Sequence, residues 1–231
     1  MCIRNLRIPT TVFLTIFFLS ILTSCSSDQK QKTASNSEIE ETKQVADEEK
    51  KTILFFGNSI TAGYKLDLTE AFPALIQERL DSMELPYQTI NAGLSGETTA
   101  SGDARVEWVL KNPIDIFVLE LGANDGLRGV STEETRKNLR SIIDKVKAKY
   151  PTCQVVLAGM MIPPNMGADY AEDFQRIYPE LAAEYELPLI PFILQGVAGI
   201  PELNLEDGIH PTAEGHAILA ENVWAVLQPL L

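Results

Sequence analysis

The chain has 231 residues, of which 45% are hydrophobic and 22% are charged, and its formal net charge is −13. A strongly acidic protein lacks the attraction to phosphates on which nucleic-acid binding depends, and anionic lipid surfaces repel it. Two of its three cysteines fall within the first 25 residues, so a disulfide within the rest of the chain is excluded. No cysteine–histidine cluster has the spacing of a metal site, and we expect neither a metal nor a cofactor.

The first 24 residues have the pattern of a lipoprotein signal peptide. Arg4 and Arg7 precede an apolar run over residues 8–22, which is shorter than the roughly 20 residues needed to cross a bilayer. The sequence Leu-Thr-Ser-Cys at 22–25 resembles a bacterial lipobox, in which the cysteine is lipidated and becomes the first mature residue. We therefore expect an exported lipoprotein, anchored through Cys25 to the periplasmic or cell-surface face of a bacterial membrane. The alternative is an ordinary signal peptide with an incidental cysteine.

A polar segment separates this leader from the remainder of the chain. Residues 25–51 contain Ser, Gln, Thr, Glu, Asp and Lys with almost no apolar side chains, which predicts a disordered tether. Residues 52–231 are enough for one well-buried domain, and they show no internal repeat and no second linker. We expect this domain to be a monomer.

The domain alternates short apolar strands with amphipathic helices. Strands are predicted at 52–56, 87–91, 114–121, 154–160 and 187–194. Helices are predicted from about 72 to 83 with Thr69 as the cap, at 101–110, from a Ser131/Glu134 capping box to Pro151, at 170–186 and at 212–227. This alternation predicts an α/β protein with three α/β/α layers, a five-stranded parallel sheet and flavodoxin-like topology.

Polar residues and a glycine follow the ends of the predicted strands. Ser59 follows the first strand, Gly93 the second and Asn124 the third, and residues 207–211 lie between the fifth strand and the last helix. Because the carboxyl ends of parallel strands share one edge of the sheet, we expect these residues to converge on a single cleft.

The residue types at this edge suit acyl transfer. A serine hydroxyl needs a base within hydrogen-bond reach, and His210 is a candidate. Asp207 lies three residues before it, close enough to hold the imidazole in one tautomer. The Gly93 backbone N–H and the Asn124 side-chain amide are candidate donors to an oxyanion.

Each of these residues also has a structural interpretation. Ser59 can cap the helix or turn that follows it, Gly93 can be a turn glycine and Asn124 a loop cap. Thr212 can cap the last helix, which frees Asp207 for His210. We interpret the second histidine, His216, as a packing residue of that helix, and Cys153 as a small core residue.

Four segments together resemble the sequence blocks of the SGNH hydrolases, also called the GDSL family. They are 57–60 (Gly-Asn-Ser-Ile), Gly93, 122–125 (Gly-Ala-Asn-Asp) and 207–211 (Asp-Gly-Ile-His-Pro), and the resemblance covers the whole domain. Asn58 is a departure, because the family's motif has aspartate there. That aspartate is not the acid of the family's triad, so the departure does not argue against catalysis, and its expected effect is on the hydrogen bonding that shapes the turn; the choice of Asn58 stays unexplained.

The resemblance implies a serine esterase or thioesterase that acts through an acyl-enzyme. Carried over to this sequence, it makes Ser59 the nucleophile, His210 the base and Asp207 the orienting carboxylate. Gly93 and Asn124 would complete the oxyanion hole.

The segments 122–129, 162–167 and 189–193 are similar to those of the bacterial arylesterase, acyl-CoA thioesterase I and lysophospholipase subgroup. In that subgroup, loops like 126–130 and 162–169 border the acyl pocket, which implies that Ile162 lies there. The substrate expected is a small ester or thioester.

Two other functions stay open at this point. A carbohydrate O-acetylesterase on the same scaffold would use the same catalytic residues with a shorter pocket. A lipid-anchored binding protein would keep the fold without catalysis. A flavodoxin-like cofactor binder is disfavoured, because the first strand is not followed by a phosphate-binding loop rich in Ser, Thr and Gly.

Overall fold

The computed structural model describes residues 50–231. The predicted signal peptide, Cys25 and nearly all of the predicted tether lie outside the described residues. Lys51, which was predicted to end the tether, instead begins the first strand, where its N–H donates to the Pro86 carbonyl (2.8 Å). Between Lys50 and Leu231, no helix has both the length and the apolar character that crossing a bilayer requires.

Five parallel strands form the central sheet: β1 Lys51–Gly57, β2 Tyr87–Asn91, β3 Ile116–Glu120, β4 Gln154–Ala158 and β5 Leu189–Ile190. Their spatial order, β2-β1-β3-β4-β5, is the predicted flavodoxin-like order. In the central pair, Ile53 of β1 lies opposite Ile116 of β3. Every residue of β3 is buried, as expected of a strand that is covered on both faces.

Seven helices and three 3-10 turns accompany the strands within the described residues. The helices are α1 Ser59–Ala62, α2 Phe72–Ser82, α3 Thr99–Val109, α4 Ala123–Leu127, α5 Thr132–Lys149, α6 Ala168–Tyr185 and α7 Ala213–Leu227; the 3-10 turns are Pro164–Met166, Pro201–Leu203 and Gln228–Leu230. Helix α2 packs against α7, while α3 packs against α5 and α5 against α6. These two groups cover the sheet, which gives the predicted α/β/α layers.

The predicted cap of α2 is wrong. This helix begins after Ala71, and Thr69 makes no capping hydrogen bond to it. The Phe72 N–H donates instead to Nδ1 of His216 on α7 (3.1 Å), a buried contact between residues 144 positions apart. His216 is therefore a packing residue, as predicted, and it also satisfies the first turn of a neighbouring helix.

Three other helices, α3, α5 and α7, begin at local sequence signals. Helix α3 begins two residues before its predicted start, because Thr98 and Ser101 form a reciprocal capping box. At α5 the Ser131 side chain accepts the N–H of Glu134, which is one half of the predicted capping box, while the Glu134 carboxylate accepts from Lys137 instead of the Ser131 N–H. The Thr212 side chain caps α7, which leaves Asp207 free for other contacts.

Strand β5 is shorter than the predicted 187–194, and β4 ends at Ala158 instead of residue 160. Pro191 has no N–H to extend the pairing, and a Cβ at Gly159 would meet its carbonyl oxygen at 2.2 Å. The Ile193 N–H donates to the Gly159 carbonyl (3.0 Å), so the chain crosses the end of β4 at this point. This crossing brings residues 192–194 to the edge of the sheet where the site lies.

Candidate active site

Four predicted site residues meet at the carboxyl edge of β1 and β3, where the strand order reverses direction. Ser59 is the first residue of α1, two positions after β1 ends, and Asn124 is the second residue of α4, after β3. Asp207 and His210 lie in the loop that precedes α7. Open α/β sheets bind ligands at such a switch point.

Three of these residues form a continuous hydrogen-bonded row. His210 Nε2 lies 2.9 Å from Ser59 Oγ, and His210 Nδ1 lies 2.9 Å from Asp207 Oδ2. With the Nδ1 proton facing the carboxylate, Nε2 is the nitrogen that can accept a proton from the serine. Ser59 is buried (8% exposed), while its contact with His210 is partly buried.

The turn around Asp207 fixes its carboxylate. Oδ1 accepts the N–H groups of Ile209 (3.1 Å) and His210 (3.0 Å), while Oδ2 faces the imidazole. Desolvation acts to raise the pKa of Asp207, but these hydrogen bonds outweigh it and lower the pKa to about 2. The carboxylate is therefore ionised at neutral pH. Gly208 takes a left-handed φ of 72°, which suits a residue without a side chain.

The same loop is tied to its surroundings on both sides. The Leu205 N–H donates to the His210 carbonyl (2.7 Å). The Asn204 side chain donates to the carbonyls of Val197 and Ile200, both at 2.8 Å. These contacts tie the histidine-bearing loop to the segment that follows β5.

The turn that carries Ser59 is held by its neighbours. Asn58 Oδ1 accepts the Ile60 N–H (2.9 Å) and so caps α1, while Asn58 Nδ2 donates to Glu120 Oε1 (2.7 Å). Burial raises the pKa of Glu120 to about 7, although its hydrogen bonds act in the opposite direction. Sequence reasoning assigned Glu120 no role, although an acidic residue in an otherwise apolar strand was a visible signal.

The two predicted oxyanion donors have partners in this structure. Asn124 Nδ2 donates to the Glu97 carbonyl (3.0 Å), and a side-chain amide carries a second hydrogen. The Gly93 N–H donates to Asn91 Oδ1 (3.0 Å), and Gly93 is not among the residues that line the site. A Cβ at Gly93 would lie 2.3 Å from the Ala62 backbone nitrogen, so this glycine allows its loop to pack against α1.

A buried ion pair supports the loop that leads to Asn124. The Glu97 carboxylate is fully buried and accepts from Arg105 Nε (2.6 Å) and Nη2 (2.5 Å). Arg105 Nη2 also donates to the Ala92 carbonyl (2.8 Å). The pair therefore fixes both ends of the 92–97 loop, and the Glu97 carbonyl in turn holds Asn124. Sequence reasoning missed this pair, because acidic and basic residues eight positions apart carry no pairing signal.

A cavity of about 530 Å³ opens beside Ser59 and His210. Its apolar wall is formed by residues of α1, α4 and the loops after β4 and β5: Ile60, Ala123, Leu127, Met160, Met161, Ile162, Pro163, Phe192, Leu194, Ala198 and Ile209. The predicted pocket residue Ile162 is among them. Within residues 50–231, no group of three or more His, Cys, Asp or Glu side chains is arranged to hold a metal ion.

A serine–histidine–aspartate row at the switch point of a parallel sheet is the arrangement of a serine hydrolase. The family model for the GDSL-like lipase/acylhydrolase family matches residues 55–218 of this chain. The chain therefore belongs to that family, and the predicted resemblance is confirmed. The matched residues include the whole row and both predicted oxyanion donors.

Individual relatives cover almost the same region. Esterase TesA of Pseudomonas aeruginosa is 41% identical to this chain over 181 residues, which are 78% of this chain and 89% of the relative. Thioesterase 1/protease 1/lysophospholipase L1 of Escherichia coli K12 is 38% identical over 181 residues, 78% of this chain and 85% of the relative. The crystal structure of TesA superposes with a TM-score of 0.75 at 41% identity and covers 78% of this chain and all of that chain.

Proposed function

We propose that this chain is a serine esterase and thioesterase that hydrolyses acyl or aryl esters through an acyl-enzyme on Ser59. The row from Asp207 through His210 to Ser59, beside an apolar cavity, is the observation that carries the proposal. The relatives named esterase and thioesterase support the same reaction.

Acylation begins when Ser59 Oγ attacks the carbonyl carbon of the substrate. His210 Nε2, at 2.9 Å, takes the hydroxyl proton as the new C–O bond forms. The ionised Asp207 stabilises the resulting imidazolium. When the bond to the leaving group breaks, His210 gives this proton to the departing alcohol or thiol, and the acyl group stays on Ser59.

Deacylation repeats these steps with water. His210 removes a proton from a water molecule as the water oxygen attacks the acyl carbon. The ester bond to Ser59 then breaks, the proton returns to the serine oxygen and the free acid leaves. The sum is one ester or thioester and one water converted to one acid and one alcohol or thiol.

The negative charge of each tetrahedral intermediate needs hydrogen-bond donors. The second N–H of the Asn124 amide is one candidate, since the first is held by the Glu97 carbonyl. The Gly93 N–H is another, and it would exchange its hydrogen bond to Asn91 for one to the oxyanion. The Ser59 N–H, at the first position of α1, has no intrahelical partner and is a third candidate.

The cavity favours acyl chains longer than acetyl. Its volume is about 530 Å³. If each chain carbon occupies ~30 Å³, the volume of one water molecule in the liquid, an octanoyl chain takes roughly 240 Å³ and fits. Each methylene buried against the apolar wall adds up to about 0.8 kcal/mol of binding free energy. The acetyl group removed by a carbohydrate O-acetylesterase is too short to cover such a wall.

An acyl-chain series tests this proposal. We expect kcat/KM for p-nitrophenyl esters and acyl-CoA to rise from acetyl to octanoyl by at least about tenfold. Ile162→Trp should move the optimum to shorter chains, and Leu68→Trp, on a loop residue that is 79% exposed, is the matched control. An optimum at acetyl would favour the O-acetylesterase, and no hydrolysis of any ester would favour a binding protein.

We further propose that the domain is displayed as a lipoprotein. The basic start, the short apolar run and the lipobox-like sequence ending at Cys25 support export and lipidation. Metabolic labelling with a palmitate analogue in a bacterial host should mark the wild-type chain and not Cys25→Ser. Equal labelling of both chains, or of neither, would contradict the proposed anchor.

A further inference from the structure

A buried carboxylate lies directly beneath the turn that carries Ser59. Glu120, the last residue of β3, is only 1% exposed, and its carboxylate faces the start of α1. A Cβ atom at Gly57 would lie 2.4 Å from Glu120 Oε2. Glycine at this position therefore allows the backbone of the turn to rest on the carboxylate.

Three donors of the turn converge on this carboxylate. Oε2 accepts from the Asn58 backbone N–H (3.1 Å) and from the Thr61 hydroxyl (2.7 Å), and Oε1 accepts from the Asn58 side-chain amide (2.7 Å). Asn58 and Thr61 are both buried, so solvent cannot replace these contacts. Above its pKa of about 7 the Glu120 carboxylate is ionised and only accepts hydrogen bonds, and the three donors match this form.

The orientation of the Asn58 amide is fixed by a second contact. Its Oδ1 accepts the Ile60 N–H (2.9 Å), and a backbone N–H can only donate. The amide NH₂ must therefore face Glu120. Aspartate at position 58 would instead bring a second carboxylate oxygen to the 2.7 Å contact, and the two acids would have to share a proton.

We propose that Asn58 and Glu120 form a polarity-matched pair that positions the turn bearing Ser59. In this pair the Asn58 amide donates and the Glu120 carboxylate accepts, so that no shared proton is needed. This inference rests on the proposed function, because it takes Ser59 as the nucleophile. Glu120 does not line the cavity, so it is a positioning residue. It acts on the placement of Ser59 Oγ relative to His210 and hence on kcat more than on KM.

Reversing the polarity of the pair tests the match. Asn58→Asp alone sets two acceptors against each other, and Glu120→Gln alone leaves a donor facing a donor. The double variant restores one donor and one acceptor, while the amide oxygen introduced by Glu120→Gln can still accept from Thr61. We expect each single variant to lower kcat about tenfold to a hundredfold with KM within about twofold. The double variant should recover kcat to within about fivefold of wild type.

The pH profile separates polarity matching from a loss of packing. In Asn58→Asp the pair keeps its geometry only while it holds a proton, so kcat should fall toward alkaline pH. The double variant carries a single carboxylate and should lack this fall. Tyr178 of α6 also faces Glu120, but burial raises its pKa well above the usual value, so its phenol stays neutral throughout the assay.

Controls make every outcome decisive. Glu78→Gln makes the same chemical change on an exposed face of α2 and should leave kcat unchanged. Thermal melting checks folding, and where a single variant does not fold, Thr61→Val removes one donor at nearly constant volume and should lower kcat about tenfold. Wild-type kcat in Glu120→Gln or Thr61→Val, or a double variant no better than the worse single variant, overturns the proposal. Activity in Ser59→Ala would instead overturn the proposed function.

Discussion

The ring of Tyr64 lies against the imidazole of His210, with the ring centroids 4.4 Å apart and an angle of 40° between the ring planes. The two hydrogen bonds of His210, to Asp207 and Ser59, fix its two nitrogens but leave rotation about the line that joins them. Tyr64 covers one face of the ring and so limits that rotation. Part of the alignment of the base thus comes from an aromatic contact outside the hydrogen-bonded row.

Removal of this aromatic contact should lower the turnover rate. Aromatic pairs contribute about 0.5–1.5 kcal/mol, so we expect Tyr64→Ala to reduce kcat about threefold to tenfold on a p-nitrophenyl ester. Tyr64→Phe keeps the ring and should retain wild-type kcat. Equal losses in both variants would show that the hydroxyl, and not the ring contact, is what matters.

Asn124 should contribute to the transition state more than to substrate binding. Loss of one oxyanion donor typically costs about 10²–10³ in rate, and we expect Asn124→Ala to lower kcat by about that factor with little change in KM. Glu97→Gln should have a smaller effect of the same kind, because the Glu97 backbone carbonyl that holds Asn124 remains while its ion pair with Arg105 is lost. An increase in KM alone would assign Asn124 to substrate binding.

Stability should fall in mild acid because of His216. Burial lowers the pKa of this histidine to about 4 in the folded protein from the ordinary 6.5, so the neutral form is favoured by folding. The resulting stability is fully present above pH 6.5 and is lost as the pH falls toward 4, and it amounts to about 3 kcal/mol.

Urea unfolding at pH 7, 5 and 4 measures this effect. His216→Asn can still accept the Phe72 N–H but does not titrate, so its unfolding free energy should decline less steeply between pH 7 and pH 4 than that of the wild type. Parallel declines in the two proteins would show that other groups cause the acid sensitivity.

Cys153 should be unreactive in the native protein. It is 5% exposed, and burial, together with the nearby Asp115 charge, raises the pKa of its thiol to about 12. In a Cys2→Ser/Cys25→Ser chain, where Cys153 is the remaining thiol, we expect a disulfide reagent to label the folded protein at least about a hundredfold more slowly than the urea-unfolded chain. Similar rates would show that this end of β4 opens readily.

The strand order and the meeting of the site residues were predictable from the sequence. Each strand is a short apolar run, and the segments between the strands carry apolar residues at helical spacing. Because crossover connections between parallel strands are right-handed, few orders of five such strands are possible. The carboxyl ends of parallel strands share one edge of the sheet. Because they follow strand ends in the sequence, Ser59, Asn124 and residues 207–211 were expected at that edge. The length of β5 was not predictable from its apolar run, because the end of pairing depends on Pro191 and on the neighbouring Gly159.

Contacts between distant residues were the part that the sequence did not predict. The cap of α2 comes from His216, which is 144 residues away, and this contact replaced the local candidate Thr69. The role of Glu120 follows from the structure alone, because the end of β3 lies beneath the turn that carries Ser59. There the Glu120 carboxylate accepts hydrogen bonds from Asn58, which gives Asn58 a structural role as well.

Covalent trapping of Ser59 tests the central claim most directly. A p-nitrophenyl alkylphosphonate should phosphonylate the serine, and intact-mass and peptide mass spectrometry should find one phosphonate per chain on the peptide that contains Ser59, with loss of all esterase activity. Ser59→Ala should take up no phosphonate and show no hydrolysis. A phosphonate on another residue, or ester hydrolysis by pure Ser59→Ala protein, would contradict the account.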